Sequence, residues 1–179
     1  MTPPDLHAAG RLLHLGGGFA AVGLGLAVML LPKFGPRAAW HRRLGRLYAV
    51  AIAGSCLLAV PLAYRQGNAY LTVLGVVTLG VVLAGWHAGR VARSAPDRGV
   101  AARWLRRHLI LMGASYVGAW SGFLATNPIF GVGEEWQVWL TVFAPTALGA
   151  VAIARAALRV GRPHATARPA PRPTTGEPP

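Results

Sequence analysis

Apolar stretches close to twenty residues long alternate along the chain with short basic ones. Five such stretches stand out, at about 12–31, 47–64, 69–88, 108–126 and 136–154. An α-helix rises about 1.5 Å per residue, so about 20 residues cross about 30 Å of hydrocarbon. Each stretch therefore predicts one membrane-spanning helix. The fifth carries Pro145 in mid-span, which membrane helices tolerate better than soluble ones do. The first is too long for the apolar part of a signal peptide. The Pro32-Lys33-Phe34-Gly35 that follows lacks a small-residue cleavage pattern, so an uncleaved span is expected.

Composition agrees with this pattern. The chain is 54% hydrophobic and 13% charged, with a mean hydropathy of +0.43. A soluble domain carries about a quarter charged residues. No Asp or Glu occurs from Leu6 to Pro96, which a water-facing surface would not allow. The expected fold is an all-α polytopic bundle of five transmembrane helices over 12–158. A short extracytoplasmic segment, 1–11, precedes it, and a disordered basic, Pro-rich tail, 159–179, follows.

The basic residues set the orientation. Five spans place 16 Lys and Arg on one side of the membrane and only Arg11 and Arg65 on the other. The positive-inside rule then puts the N-terminus outside and the tail in the cytoplasm. A net charge of +13 would ordinarily suggest nucleic acid. Here the arginines are spread over three segments beside the bilayer, where anionic lipid headgroups are the expected partner. Arg103, Arg106 and Arg107 are the candidate lipid-binding residues, within a 90–107 stretch expected to lie along the inner surface as a short amphipathic segment.

Small residues recur four apart, as in Gly17, Ala21 and Gly25, in Gly45, Ala49 and Ala53, and in Ala114, Gly118 and Gly122. In a bilayer such stripes are packing seams, because lipid is as apolar as leucine and helices associate by close approach. They do not indicate a nucleotide site. The single cysteine, Cys56, excludes an intrachain disulfide or a cysteine-rich metal centre, and the single lysine, Lys33, excludes a phosphate-binding loop. The adjacent Glu134 and Glu135 offer no pair of the kind glycosidases use. No catalytic set emerges, and an enzyme is the less favoured reading.

Histidine carries what chemistry remains. His41, His87 and His108 fall at one depth near the cytoplasmic boundary, while His14 lies at the opposite end. His41, Gly45, Tyr48 and Ser55 share one stripe, and His108, Met112 and Ser115 share another with Tyr116 at its edge. Ionisable residues in membrane helices tend to face the bundle and mark ligands or pathways. Neutral imidazole ligates haem iron, copper or zinc, so a pair such as His41 and His108 could take opposite axial positions on haem b. The blander reading places boundary histidines at headgroup level, bonded to water, lipid or backbone. The same applies to Tyr48, Tyr116, Trp40, Trp86, Trp104, Trp136 and Trp139 as interface anchors or core.

The segment His41-Arg42-Arg43-Leu44-Gly45-Arg46-Leu47-Tyr48 resembles the H-R-x-x-G-R-x-Y signature of a bacterial family of predicted membrane proteins, domain of unknown function 2306. His108, Met112-Gly113, Ser115-Tyr116, Phe123 and Asn127-Pro128 resemble its H-x-x-x-M-x-x-S-Y segment. Trp139, Pro145 and Gly149 resemble the closing helix of one branch, so the likeness runs from about Arg11 to Arg159. Leu111 stands where many relatives have tryptophan, and Ala114 where they have arginine. The resemblance implies architecture rather than activity, and with the charge partition a multi-pass protein of a bacterial inner (cytoplasmic) membrane. It singles out His41, Gly45, Tyr48, His108, Met112, Ser115 and Tyr116.

Three functions follow as expectations. One is haem or metal binding for electron transfer near the cytoplasmic face. Its ligands would be His41 and His108, with His87 as a further candidate and Tyr48, Met112, Ser115 and Tyr116 around the cofactor. Another is a non-catalytic membrane subunit, bound to anionic lipid, to a membrane protein partner or to its own copies. The third is a small proton-coupled transporter.

Overall fold

The computed structural model describes residues 3–31, 35–36, 38–126 and 135–160; the side chains of 3–7, 125–126, 135, 137–139 and 141–142 lie outside that description. Five helices follow in chain order: α1 (Pro3–Leu30), α2 (Ala38–Arg65), α3 (Ala69–Ser94), α4 (Arg98–Thr126) and α5 (Glu135–Arg159). Among the described residues three segments are long and apolar enough to cross a membrane, Ala8–Leu30, Ala38–Arg65 and Ala69–Ser94. His7, Lys33, Arg37, Asn127-Pro128, Glu134 and the tail from 161, with its arginines and His164, fall outside the description, as does the side chain of Trp139.

Residues 3–11 are helical and continuous with the rest of α1, which begins at Pro3. One expectation is corrected. The 90–107 stretch is not a surface helix: Arg90 and Arg93 end α3, and Arg98 to Arg107 begin α4. The chain turns over through Ala95-Pro96-Asp97. Asp97 Oδ2 accepts the Val100 N–H at 2.8 Å, stopping the free end of α4. Backbone hydrogen bonds to this exposed carboxylate, from Val100 above all, hold its pKa below the ordinary carboxylate value. The α2–α3 turn uses Gly67 at φ +68, a left-handed conformation that side chains resist, and Asn68 then caps α3 by accepting from Leu71 N–H at 3.0 Å.

Short turns make successive helices antiparallel, so α2 and α4 run in the same direction. Helices α1 to α4 form a ring in which each touches the next and α1 closes on α4, while α5 packs on α4. The interior is built from small and medium side chains, among them Ala21, Ala49, Ile52 and Val82. Leucines such as Leu30, Leu57 and Leu148 face outward, which costs little in lipid.

The α3–α4 seam shows how close approach is achieved. At one end the glycines are on α3: an added Cβ at Gly89 would stand 2.7 Å from His108 Nδ1, and one at Gly85 would stand 2.9 Å from Met112 Sδ. Toward the other end they are on α4, where Gly118 lies under Thr78 and Gly122 beside Leu74. The expected stripes hold in part. Gly17, Ala21 and Gly25 pack inward, the last against Tyr116 and Tyr48. Ala114 is exposed, and Gly45 has no atom within 4 Å of where a Cβ would lie. A small residue therefore marks either a contact or an opening, and Gly45 marks an opening.

Candidate functional site: two histidines and an opening at the arginine-rich end

The site begins with a hydrogen bond across the ring. Ser115 Oγ donates to Met112 O at 2.8 Å, so the Tyr48 hydroxyl must donate to Ser115 Oγ, at 2.9 Å. Both side chains are buried. This ties α2 to α4 through the bundle axis. Tyr116 packs edge-on to Tyr48, with ring centroids 6.3 Å apart, and its hydroxyl donates to Val22 O at 3.3 Å. Gly25 leaves the space both rings use.

His41 and His108 each lie seven residues before a member of that pair, His41 before Tyr48 and His108 before Ser115. Seven residues are about two turns, or about 10.5 Å. On parallel helices the two histidines therefore stand at one depth, two turns from the Tyr48–Ser115 bond. Each ring is fastened to a different neighbour. His41 Nδ1 lies 3.1 Å from Val28 O of α1, and His108 Nδ1 lies 2.8 Å from Gly85 O of α3. A carbonyl only accepts, so both Nδ1 atoms are protonated donors and the lone pair of the neutral ring is on Nε2. This is the arrangement found behind metal-ligating histidines, whose other ring nitrogen donates to a carbonyl or carboxylate. The half-buried Gly45 follows His41 by one turn on the same stripe, and its missing side chain leaves open space there.

The structure does not bring His87 to this pair. His87 is exposed, with its ring edge-on to Trp104 at 6.1 Å. The intervening face of α3 is the Gly85–Gly89 groove that seats His108. Among the described residues no three His, Cys, Asp or Glu side chains gather as metal ligands. Met112 turns its sulfur to Gly85, Tyr116 reaches α1, and Tyr48 and Ser115 are bonded to each other two turns from the histidines.

Sequence reasoning located the histidines, Tyr48 and Ser115 but missed Gly85 and Gly89. Their four-residue spacing on either side of His87 was the available signal. It also left His14 without a role. His14 Nδ1 lies 3.1 Å from Ser55 O and 3.0 Å from Ser55 Oγ, and Ser55 Oγ donates to His14 O at 3.1 Å. Between the two ends the interior holds apolar Ala21, Ile52 and Val82 together with the buried polar side chains of Ser115 and Thr78.

Trp104 carries the Arg107 guanidinium at 4.8 Å from its ring centroid, and Trp40 carries that of Arg43 at 5.7 Å. Arg103, Arg106 and Arg107 are exposed on the first turns of α4. Comparison of the chain with protein families, curated proteins and solved structures finds no match.

Proposed function

We propose that this chain is a five-span protein of a bacterial cytoplasmic membrane, with its N-terminus outside, that holds haem or another metal group between His41 and His108 for electron transfer. The span count and orientation rest on five helices of 25 to 29 residues. They rest also on the partition of 16 basic residues against 2. The resemblance to the domain of unknown function 2306 family falls on the same histidines and adds no activity. One observation carries the ligand assignment: two imidazoles at one depth on parallel helices, each with its Nδ1 proton committed to a main-chain carbonyl. The committed bond fixes ring orientation and raises the basicity of Nε2. A centre closed by two histidines supplies one-electron chemistry when bound. The chain's part is to orient both rings, keep the floor dry with the Tyr48–Ser115 pair, and leave space at Gly45.

The test is an absorption spectrum of the detergent-purified protein, oxidised and dithionite-reduced, with elemental analysis. His41→Ala, His108→Ala and Gly45→Leu should each lose the bound group while the helical signal stays. His14→Ala should keep it. Full occupancy in both His41→Ala and His108→Ala would sink the assignment. The second reading, a membrane component gripping anionic lipid through Arg103, Arg106 and Arg107, is supported by their exposure beside Trp104. Equal retention of anionic and zwitterionic lipid would count against it.

A further inference from the structure

Away from the two histidines, the outer side of the α3–α4 pair gathers cations and aromatic rings at the arginine-rich end. Arg103 and Arg107 are four apart on α4 and share one face, with Trp104 at its edge. The Arg107 guanidinium lies over the Trp104 ring, 4.8 Å from its centroid, and His87 of α3 meets the same ring edge-on at 6.1 Å. Stacking occupies the flat face of a guanidinium and leaves its N–H edge for an anion. Arg103, Arg107 and His87 are exposed, and Trp104 is half-buried. Arg106 is two residues from Trp104 and so lies on the other side of the helix. From Leu6 to Gly133 the one carboxylate is Asp97, and its Oδ2 accepts from Val100 N–H as the cap of α4. This face therefore carries unbalanced positive charge.

The same face of α4 leads into a groove. Ala114 follows Arg107 by seven residues, two turns or about 10.5 Å along the helix, on one stripe. There Ala114, Gly118 and Ser121 line a groove of about 340 Å³ between α3 and α5, with Val81 and Ile153 at the end nearer Arg107. We propose that this face binds one anionic phospholipid, its phosphate held by Arg103 and Arg107 beside Trp104 and His87, and one acyl chain entering the groove at Ala114. The inference rests on the lipid-gripping reading above and replaces its general surface with a single site. A chain that reaches the bilayer midplane descends about 15 Å, half of about 30 Å of hydrocarbon, and so passes Ala114. Indole sits at headgroup level, which places the phosphate beside the stacked guanidinium. A zwitterionic headgroup would bring its own cation among the arginines, so charge selects an anionic one.

The experiment counts lipid bound to the full chain in detergent by native mass spectrometry. Its probes are dioleoyl phosphatidylglycerol, dioleoyl phosphatidylcholine, the short-chain dihexanoyl phosphatidylglycerol and inorganic phosphate. The chain should retain one dioleoyl phosphatidylglycerol in preference to phosphatidylcholine. Arg103→Gln and Arg107→Gln should each weaken it roughly fivefold, the worth of one arginine against anionic lipid, while Arg106→Gln leaves it within about twofold. Ala114→Phe, at an exposed position, should weaken the dioleoyl lipid and spare the short-chain one, whose tails end above the groove. An Arg106→Gln loss equal to the other two, unaltered dioleoyl binding in Ala114→Phe, or displacement of the lipid by equimolar inorganic phosphate would overturn this inference and leave the general lipid reading standing. Equal retention of phosphatidylglycerol and phosphatidylcholine by the unaltered chain would overturn both.

Discussion

His14 and His41 make the same bond at opposite ends of one helix pair, and the two ends differ in what surrounds that bond. Each donates from Nδ1 to a carbonyl on the facing helix, His41 of α2 to Val28 of α1 and His14 of α1 to Ser55 of α2. At the His14 end the serine answers, its Oγ donating back to His14 O, and Gly17 and Gly18 close around it. At the His41 end a second histidine stands at the same depth, an opening lies at Gly45, and arginines surround both. A histidine hydrogen-bonded across helices is therefore not itself a site. In the proposed reading the second ring, the missing side chain and the unbalanced charge are what set the His41 end apart.

The largest effect that would sharpen this contrast is steric. Gly89→Ala puts a methyl group 2.7 Å from His108 Nδ1, so the ring must leave its seat. Overpacking of this kind costs about 1–3 kcal/mol, and the thermal midpoint in detergent should fall accordingly. The matching change at the far end, Gly16→Ala, meets nothing within 4 Å and should not lower the midpoint. Equal midpoints for both variants would show that the seat is loose. A smaller loss is expected from Ser55→Ala. It removes the Oγ bonds to His14 O and to His14 Nδ1 but leaves His14 Nδ1 bonded to Ser55 O, so about 0.6 kcal/mol per lost bond, typical of membrane hydrogen bonds, should go. A drop several times larger would mean that His14 depends on the hydroxyl.

The smallest effect concerns the caps. Asn68 at the far end is neutral, whereas Asp97 is a carboxylate whose folded pKa is lowered by the Val100 N–H. Its contribution is complete above the ordinary carboxylate pKa and fades as pH falls through the lowered folded value. The midpoint should thus decline slightly as the solution is made more acid than the ordinary carboxylate pKa, and Asp97→Asn should flatten that slope. An unchanged slope in Asp97→Asn would place the acid sensitivity elsewhere. Asn68→Asp should introduce a similar slope at the other end.

The helices were legible because twenty-residue apolar runs have few other uses, and the shared depth of His41 and His108 followed from counting residues. The partners of the histidines were not legible. A main-chain carbonyl leaves no trace in sequence, so Val28 and Gly85 could not be told from their neighbours. The start of α4 was misplaced because arginines at 98, 103, 106 and 107 suit a surface helix as well as a helix emerging from a membrane. Pro96-Asp97, a turn residue before a capping residue, was the overlooked signal. Gly45 was misread for a different reason. Its spacing to Ala49 and Ala53 is that of a packed seam, and only the surroundings of the missing side chain distinguish a contact from a vacancy.

The reversal of glycines along the α3–α4 seam acts as a key cut on both edges. His108 and Met112 enter notches on α3, while Thr78 and Leu74 enter notches on α4. Sliding either helix by one turn would bring bulk onto bulk at one end and leave a void at the other. The depth of His108 is thus set by teeth distributed over the length of two helices, and thermal sliding of the pair cannot change how far its ring sits from the membrane surface.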